Sequence, residues 1–407
     1  MKLLIAVVSG LLVATTAGAT ALPGFRVEVV GSITPFATSL VVDSAGTIYY
    51  TVAGGTIFRY ENGQSRPISR VTTEGIGNSG LLGMALIDDS TAVIHYTRPN
   101  QTYDVLSRID LRTGEETLIH EFACDIDIPE RGSSTEHHGG NPIVASDGSI
   151  FVGIGDYGGG LVAALEKWNG GKIFRIFPDG LVVQFARGLR NPFDLVWDEK
   201  KQQVIVADNG PVGGDELHLI TEGANCGWPW TYGSEPKIDG LAVPDYVFPN
   251  TVAPTGNLIL NGATPFLRSG YLLGAFVTKA IYYFPDLDAK PIPDPVALIE
   301  RETSFIIDVA QSSSGDIYFT TGTAIYRLVP PERGDCNGDG KVDGADIDAL
   351  QRELADGDPH RTVDAQTGAF AGSWGCDANE DSLITSADLL ELPRLLTGRR
   401  RAIRTAR

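Results

Sequence analysis

Near the C-terminus, a twelve-residue stretch places oxygen-bearing side chains at a spacing that wraps them around one point. They fall at places 1, 3, 5, 9 and 12 and belong to Asp335, Asn337, Asp339, Asp343 and Asp346. Gly340 stands at place 6, where the backbone must turn sharply, and the carbonyl of Lys341 would serve place 7. Because Ca²⁺ prefers several hard oxygen ligands, the pattern predicts a calcium loop.

A second stretch repeats this pattern a little further along the chain. Its ligand places are filled by Asp377, Asn379, Asp381, the carbonyl of Leu383, Thr385 and Asp388. Ser382 replaces the glycine of place 6, which predicts a more strained turn and a lower affinity. A helix is expected after each loop, over Ile347–Leu354 and over Leu389–Leu396, where the apolar spacing is helical.

The long segment before these loops is expected to be all β. Over residues 25–330, a turn containing Asp and Gly recurs, followed by an alternating apolar strand, as in Asp43–Thr51 and Gly315–Thr320. Paired strands repeated over this length indicate a β-propeller, with six blades as the estimate. Leu161–Trp168 is the one short helix expected there. The predicted fold class is an all-β six-bladed propeller followed by a small α-helical domain carrying the two calcium loops.

The net charge and the N-terminal segment limit the classes of function that the protein can have. The 407 residues carry a formal net charge of −19, which argues against a nucleic-acid partner, because phosphate contacts need clustered Lys and Arg. Residues 1–21 form a predicted signal peptide with a charged start, a short apolar run and small-residue cleavage patterns at Ala17–Ala19 and Ala19–Ala21. An uncleaved membrane anchor is the alternative. No later segment approaches a transmembrane span, so a secreted or periplasmic protein is expected.

Domain boundaries and cysteines complete the outline. The propeller is assigned to residues 25–330, the calcium-binding module to 334–396 and a disordered basic tail to 397–407. Cys336 and Cys376 lie at the start of the two loops, which suggests a disulfide joining them, and Cys124 and Cys226 would then pair with each other. Four cysteines allow three connectivities, so the other pairings stay open.

The paired loops with their following helices resemble a type I dockerin over Gly334–Leu396. Asp at place 12 is typical of that family. The resemblance implies calcium-dependent docking onto a cohesin-like or cell-surface partner. Dockerins usually place their recognition residues at places 10 and 11, which here are Gly344-Ala345 and Ser386-Ala387.

Several propeller segments resemble the soluble glucose/sorbosone dehydrogenases, six-bladed quinoproteins that use pyrroloquinoline quinone (PQQ) and calcium. They run in the family's order and are Gly80–Ala85, His137–Gly140, Gly153–Asp156, Gly171–Arg175, Gly188–Pro192, Asp208–Leu217 and Gly223–Pro229. The resemblance covers roughly residues 29–328. It implies that His137 takes the proton of the sugar hydroxyl while a hydride passes to the quinone, and that Asp156 orients this histidine.

The same resemblance implies a cofactor and a metal site. Arg190 and Asn191 match residues that contact the quinone, where a guanidinium stabilises developing negative charge. Asn78 and Lys279 match further cofactor-binding positions. The backbone carbonyls of Gly210 and Pro211 match ligands of a calcium ion that polarises the cofactor. The expected cofactor and metal residues are therefore Asn78, Arg190, Asn191, Lys279, Gly210 and Pro211.

This chain departs from the family pattern at cationic positions. Asn141 stands where the family closes its His motif with Arg, and Asn78 stands where Gln or Glu is usual. The stretch Phe305–Asp308 lacks the two arginines that hold the quinone carboxylates in the family. Trp228 and Trp230 are expected to be core residues rather than a platform for a sugar.

Two function classes follow from this pattern. One is a sugar dehydrogenase that oxidises an aldose to its lactone with PQQ and calcium. The other is a non-catalytic propeller that binds a glycan or a protein after losing the cofactor. A third interpretation, a propeller lactonase, requires a metal cage of Glu, Asn and Asp side chains at the propeller axis, and the sequence presents no convincing set.

Overall fold

The structure is a computed structural model that describes residues 20–33, 36–124, 135–235, 237–300, 304–355, 372–381 and 383–405. Within these residues the strands form six sheets of four or five strands each. Each sheet is built mainly from strands that follow one another in the chain, as a propeller blade requires. The predicted six-bladed β-propeller is therefore confirmed.

The blades are numbered along the chain. Blade 1 holds β3 (Ala37–Val42), β4 (Ile48–Val52), β5 (Thr56–Glu61) and β6 (Gln64–Arg70); blade 2 holds β7 (Leu81–Asp88), β8 (Thr91–Thr97), β9 (Tyr103–Asp110) and β10 (Glu116–Ala123); blade 3 holds β11 (Ile143–Val144), β12 (Ile150–Ile154), β13 (Lys172–Ile176), β14 (Val182–Arg187) and β18 (Ala224–Asn225). Blade 4 holds β15 (Pro192–Asp198), β16 (Gln203–Asp208), β17 (Glu216–Ile220) and β19 (Tyr246–Val247); blade 5 holds β20 (Pro254–Ile259), β21 (Tyr271–Ala275), β22 (Ala280–Phe284), β23 (Val296–Glu300) and β1 (Thr20–Ala21); blade 6 holds β24 (Asp308–Gln311), β25 (Ile317–Thr320), β26 (Ala324–Val329) and β2 (Arg26–Ser32).

The recurring Asp/Gly turn joins the first two strands of a blade. In blade 1, the carboxylate of Asp43 accepts hydrogen bonds from the backbone N–H groups of Ala45 and Thr47, at 3.0 and 2.7 Å. Gly46 completes the turn at φ +84°, a left-handed conformation that favours glycine. This local chemistry fixes where each strand pair begins, which explains why the strands were predictable from the sequence.

The ring closes through the N-terminal segment. β2 pairs antiparallel with β26, from Arg26 opposite Val329 to Ser32 opposite Ala324. β1, which precedes β2 in the chain, pairs antiparallel with β23 of blade 5. The N-terminal residues thus supply the outer strands of the last two blades and lock the ring.

Apolar clusters fill the interfaces between blades. In the described residues there are six of them, and one joins Ile57 of blade 1 to Ile94 of blade 2. Five clusters hold propeller residues alone. The cluster between blades 5 and 6 continues into the C-terminal module through Trp374, Leu350 and Leu392.

The C-terminal module packs directly on the propeller. It contains α2 (Gly344–Ala355), a 3₁₀ turn (Trp374–Cys376) and α3 (Asp388–Thr405). The indole ring of Trp374 is 1 % exposed and meets Phe25 and Tyr283 edge to face, with ring centroids 5.3 and 5.9 Å apart. This burial seats the module against the edges of blades 5 and 6.

One of the two predicted disulfides is present. Cys336 and Cys376 are bridged, which confirms the expected link between the calcium loops. The predicted Cys124–Cys226 bridge is wrong. Cys124 packs in the cluster between blades 2 and 3 and Cys226 in the cluster between blades 3 and 4, so the sheet of blade 3 separates them.

The helices occur where they were expected, but two of them differ in length. α1 (Gly160–Ala164) ends four residues before the predicted Leu161–Trp168 does, a 3₁₀ turn spans Pro99–Gln101, and α2 and α3 follow the two loops. The predicted disordered tail is wrong up to Thr405, because α3 continues to that residue. Asp388 and Glu391 occupy its first turn, where the helix dipole favours negative charge. Among the described helices, none has the length and apolar character to cross a membrane.

Candidate active site

His137 sits in a loop that reaches the propeller axis ahead of β11. Its backbone adopts the left-handed conformation, with φ +51°. The loop is pressed against the end of β12, because a Cβ on Gly155 would lie 2.2 Å from the carbonyl oxygen of His137. Only glycine fits at position 155, and this close approach fixes the imidazole beside the residue that follows.

That residue, Asp156, anchors the imidazole. Its Oδ1 lies 2.6 Å from Nδ1 of His137, and it also accepts a hydrogen bond of 2.8 Å from the backbone N–H of Gly158. Its Oδ2 accepts a hydrogen bond of 2.7 Å from Nε1 of Trp228. The carboxylate is 1 % exposed and fully hydrogen-bonded. It therefore holds Nδ1 as the donor and leaves Nε2 of His137 as the basic nitrogen.

A second loop brings Arg190 and Asn191 to the same place. The guanidinium of Arg190 donates to the carbonyl oxygens of Asn209 and Gly210, at 2.8 and 3.0 Å, and lies over the ring of Trp228 at 5.9 Å. The side-chain oxygen of Asn191 accepts a hydrogen bond of 3.2 Å from the backbone N–H of Gly139. The His137 loop and the Arg190 loop are thus tied together.

Asp208 supports the Arg190 loop from below. Its two oxygens accept the backbone N–H groups of Arg190 and Asn191, at 2.8 and 2.7 Å. Burial, followed by repulsion from Glu216, raises the pKa of Asp208 to about 7. Two backbone donors partly offset the cost of this buried carboxyl group.

A cavity of about 310 Å³ opens at this end of the axis. Its polar lining includes Asn78, Asn191 and Asn209, and its apolar wall includes Phe276 and Ile307. Phe276 stacks on Phe305, with ring centroids 4.0 Å apart. None of the described residues that line the cavity is Lys or Arg. The cavity is therefore polar on the Asn191 side and apolar on the side of blades 5 and 6.

The other predicted cofactor and metal residues already have partners within the protein. The ammonium group of Lys279 sits over the ring of Phe305, 5.6 Å from its centroid. Asn78 donates to the carboxylate of Glu136 at 2.7 Å. The carbonyls of Gly210 and Pro211 already accept hydrogen bonds, from Arg190 at 3.0 Å and from the N–H of Gly214 at 2.8 Å. A calcium ion at these two carbonyls would have to share them or displace Arg190.

The tryptophans were misjudged from the sequence. Trp228 is not simply a core residue, because its indole N–H holds Asp156, and Trp230 is 63 % exposed. The signal for Trp228 was its place inside the Gly223–Pro229 segment, next to other site motifs. A second residue that sequence reasoning missed is His138, whose buried Nδ1 lies 2.9 Å from Oδ1 of Asp104 and anchors the His137 loop.

The first calcium loop is folded around its carboxylates. Asp346 accepts the backbone N–H groups of Asn337 and Asp343, at 3.1 and 2.7 Å, and Asp335 accepts that of Gly340 at 2.9 Å. The side chains of Asn337, Asp339 and Asp343 accept N–H groups of the loop itself. Oδ1 of Asp335 is buried without a hydrogen-bond partner. A hard cation at the loop centre would satisfy that oxygen, so the donor set fits Ca²⁺.

The second loop repeats this arrangement. Asp388 accepts the N–H groups of Asn379 and Thr385, at 3.0 and 2.8 Å, and Asp381 accepts that of Leu383 at 2.9 Å. Asp377 is 2 % exposed and points one oxygen at the N–H of Asp381. Ser382, expected to strain this turn, lies outside the described residues.

The carboxylates of both loops carry the charge that a cation would balance. Burial, with added repulsion from neighbouring carboxylates, raises the pKa of Asp335, Asp346 and Asp388. Two loops of this kind, joined by the Cys336–Cys376 bridge, make one compact unit.

Known proteins share part of the sequence of this chain. The chain is 26 % identical to quinoprotein glucose dehydrogenase B of Acinetobacter calcoaceticus, over 44 % of this chain and 45 % of that protein. It is 23 % identical to aldose sugar dehydrogenase YliI of Escherichia coli (strain K12), over 72 % of this chain and 89 % of that one. The chain spans about half the length of the first relatives that it matches.

Solved structures share the fold. The PQQ-bound form of an aldose sugar dehydrogenase from Streptomyces coelicolor superposes with a TM-score of 0.64 at 21 % identity, covering 76 % of this chain and 99 % of that one. The family model "Dockerin type I domain" matches residues 333–397. The family model "Glucose / Sorbosone dehydrogenase" matches residues 33–329, most of the chain. The chain therefore belongs to the glucose/sorbosone dehydrogenase family and carries a type I dockerin domain after its propeller.

Proposed function

We propose that the protein is an exported sugar dehydrogenase that oxidises an aldose at its anomeric carbon to the lactone, with PQQ as the hydride acceptor. The single observation that carries the proposal is the His137–Asp156–Trp228 chain of hydrogen bonds at 2.6 and 2.7 Å. It holds a basic nitrogen in the loop that is tied to Asn191, which lines the cavity, in a chain whose relatives are sugar dehydrogenases.

Each residue of the site has its own role in this reaction. Nε2 of His137 takes the proton of the anomeric hydroxyl as the C–O bond becomes a carbonyl. Asp156 keeps the imidazole in the required tautomer and stabilises its protonated form. Arg190 precedes Asn191, which lines the cavity, and its positive charge stabilises negative charge that develops on the acceptor. The low exposure of His137, 12 % for its side chain, limits competing water.

The cofactor fits this site on one side. PQQ would supply a quinone that accepts the hydride, and Arg190, Asn191 and Lys279 are the residues positioned to hold it. The wall formed by Phe276 and Ile307 carries no Arg, and Lys279, over the ring of Phe305 that stacks on Phe276, is the cation beside it. Because PQQ carries three carboxylates, we expect it to bind more weakly here than in a site with arginines at these places.

Titration of the purified mature protein with PQQ in excess Ca²⁺, followed by calorimetry, tests the proposal. We expect saturable one-to-one binding that Arg190→Ala abolishes and that Asp346→Ala, in the distant calcium loop, leaves unchanged. Dye reduction across a panel of aldoses should then follow. No binding at tens of micromolar, or about −6 to −7 kcal/mol, contradicts the proposal.

The apolar wall favours one second candidate, a propeller that binds a glycan or a protein without turnover. Stacked aromatic rings such as Phe276 and Phe305 offer a flat face of the kind that sugars use. The same calorimetry discriminates the two: binding of a neutral oligosaccharide in the absence of PQQ, with no dye reduction in its presence, supports the second candidate.

For the C-terminal module we propose Ca²⁺ binding and calcium-dependent docking onto a cohesin-like partner. The expected recognition positions Gly344-Ala345 and Ser386-Ala387 are all exposed, while the ligands Asp346 and Asp388 are buried. Pull-down on a panel of type I cohesins, with and without EDTA, tests this. Capture that persists in EDTA or in the Asp346→Ala, Asp388→Ala variant contradicts it.

Export is proposed from the signal-like N-terminus together with the kinds of relative that the chain matches. The pairing of Thr20–Ala21 with β23 favours cleavage after Ala19, because cleavage after Ala21 would remove this strand. N-terminal sequencing of secreted material should read from Thr20. A start at Leu22, or protein retained in the membrane fraction, contradicts this expectation.

A further inference from the structure

A layer of polar side chains crosses the propeller axis directly beneath the candidate active site. Its members come from the innermost segments of blades 3 to 6, are each between 3 and 7 % exposed, and are Asn141, Asp194, Asn257 and Asp308. The residues one step before two of them, Phe193 and Ile307, line the upper cavity. We call these four side chains the axial ring; all four line a second, lower cavity.

The two carboxylates of the axial ring tie neighbouring blades together. Asp194 accepts the backbone N–H of Asn257 at 2.6 Å, and Asp308 accepts that of Leu40 at 2.6 Å. Their other oxygens accept the N–H groups of Leu195 and Val309, each at 2.8 Å. Neutral donors of this kind orient a carboxylate but leave its charge in place.

Two carboxyl groups, those of Asp194 and Asp308, are thus buried on the axis. Among the described residues that line the lower cavity there is no Lys, Arg or His. Burial raises the pKa of Asp308 to about 7, and burial together with repulsion from Asp308 raises that of Asp194. A pair of buried carboxylates needs either protons or a positive ion.

The amides of the axial ring point to the second of these. Both side-chain atoms of Asn257 are buried without a hydrogen-bond partner, and so is Oδ1 of Asn141. The amide of Asn141 interacts with both carboxyl groups, so its free oxygen lies beside them. Buried polar atoms in folded proteins nearly always have a partner. The unpartnered oxygens of Asn141 and Asn257, next to two carboxylates, mark a place that suits a cation.

The lower cavity gives this place a route to solvent. Its volume is about 460 Å³, and its lining reaches Ser146 and Glu199, which are exposed on the face away from His137. An ion can therefore enter and keep several water ligands without passing through the candidate active site.

We propose that the axial ring binds a hard divalent cation, with Ca²⁺ as its expected occupant. Carboxylates of Asp194 and Asp308 and amide oxygens of Asn141 and Asn257 form an all-oxygen set, and water from the lower cavity completes the six to eight ligands that Ca²⁺ takes. The ion neutralises the two carboxylates and links four blades at the floor of the active-site cavity. This site is distinct from the two C-terminal loops and from the carbonyls of Gly210 and Pro211.

This set was not expected from the sequence, where no convincing axial metal cage was found. Its members are spread from position 141 to position 308, and none lies in a motif for metal binding. They meet only because each occupies the same level of a different blade.

Crystals of the full chain soaked in Tb³⁺ or Mn²⁺ give the first test, by anomalous scattering. The C-terminal loops serve as an internal positive control in the same crystal. We expect a peak on the axis within coordination distance of the axial-ring oxygens. Filled loops with only water on the axis overturn the proposal.

Variants give the second test, by counting Ca²⁺ per chain in native mass spectrometry. Asn257→Leu removes the orphan amide and should lower the count by one. Asn257→Asp keeps an oxygen ligand and should retain the ion. If the ring held only water, this third buried carboxylate would lower the melting temperature, and adding Ca²⁺ would not restore it. Gln203→Leu, which removes another poorly partnered amide off the axis, is the matched control. An unchanged count in Asn257→Leu contradicts the proposal, as does loss of one ion in Gln203→Leu.

Discussion

The two candidate functional regions are built in opposite ways. Each calcium loop takes its ligands from twelve consecutive residues, whereas the His137 site takes its residues from segments around positions 137, 156, 190 and 228. A contiguous loop carries its chemistry in its own spacing. A site on a propeller axis exists only after the blades close, so small changes in several distant loops can remodel one wall and leave another intact.

The sharpest test of this separation is His137→Ala. Loss of the base should lower turnover about 10²- to 10⁴-fold, because general-base catalysis contributes rate factors of this size. Asp346→Ala is the matched control and should leave turnover unchanged. Steady-state dye reduction with saturating PQQ and sugar provides the measurement. Equal loss in both variants would show that the two regions are coupled after all.

Removing the disulfide tests whether the C-terminal module unfolds independently of the propeller. Cys336→Ser with Cys376→Ser opens a bridge across a sequence separation of 40. Chain entropy predicts that this lowers the free energy of unfolding of the module by at most about 4 kcal/mol. Thermal unfolding should show an earlier transition for the module and an unchanged transition for the propeller. A fall of both transitions together would mean that the two unfold as one unit.

Removing one charged ligand should have a smaller effect. Asp388→Ala deletes the place-12 carboxylate, which organises the second loop by accepting two backbone N–H groups. We expect the calcium affinity of this loop to fall about 100-fold, or about 2.7 kcal/mol, with the first loop unchanged. Calorimetric titration with Ca²⁺ measures both. Loss of both sites would indicate that the loops bind cooperatively.

The smallest effect is expected at Trp228. Trp228→Phe keeps the ring and removes the N–H that holds Asp156. Because Asp156 retains two other hydrogen-bond donors, turnover should fall only about 10-fold, the equivalent of one lost hydrogen bond of about 1.4 kcal/mol. Trp230→Phe, at an exposed position, is the control. A pH–rate profile that shifts in Trp228→Phe alone identifies the effect as one on His137.

The sequence predicted the propeller well because its determinants are local. Asp43 and Gly46 define a turn within four residues, and alternation within each strand defines its buried face. The two twelve-residue loops are local in the same way, because each is contiguous in the sequence. The Cys124–Cys226 bridge failed because sequence cannot report that a whole sheet stands between two buried residues.

The sequence predicted only part of the apolar side of the active-site cavity. The absence of arginines at Phe305–Asp308 could be noted, but the stacking of Phe276 on Phe305 depends on two strands of different blades meeting at the axis. The role of Trp228 was hidden likewise, because the contact with Asp156 joins residues 72 positions apart.

The seat of Trp374 between Phe25 and Tyr283 has one more consequence. A domain on a long tether lets its enzyme tumble, so anchoring sets only the local concentration. A domain that packs into the same apolar interior as the enzyme also fixes the orientation of the enzyme relative to the surface that binds the domain. Whatever surface holds the C-terminal module would also set which way the mouth of the propeller faces, and neighbouring molecules on that surface would all point alike.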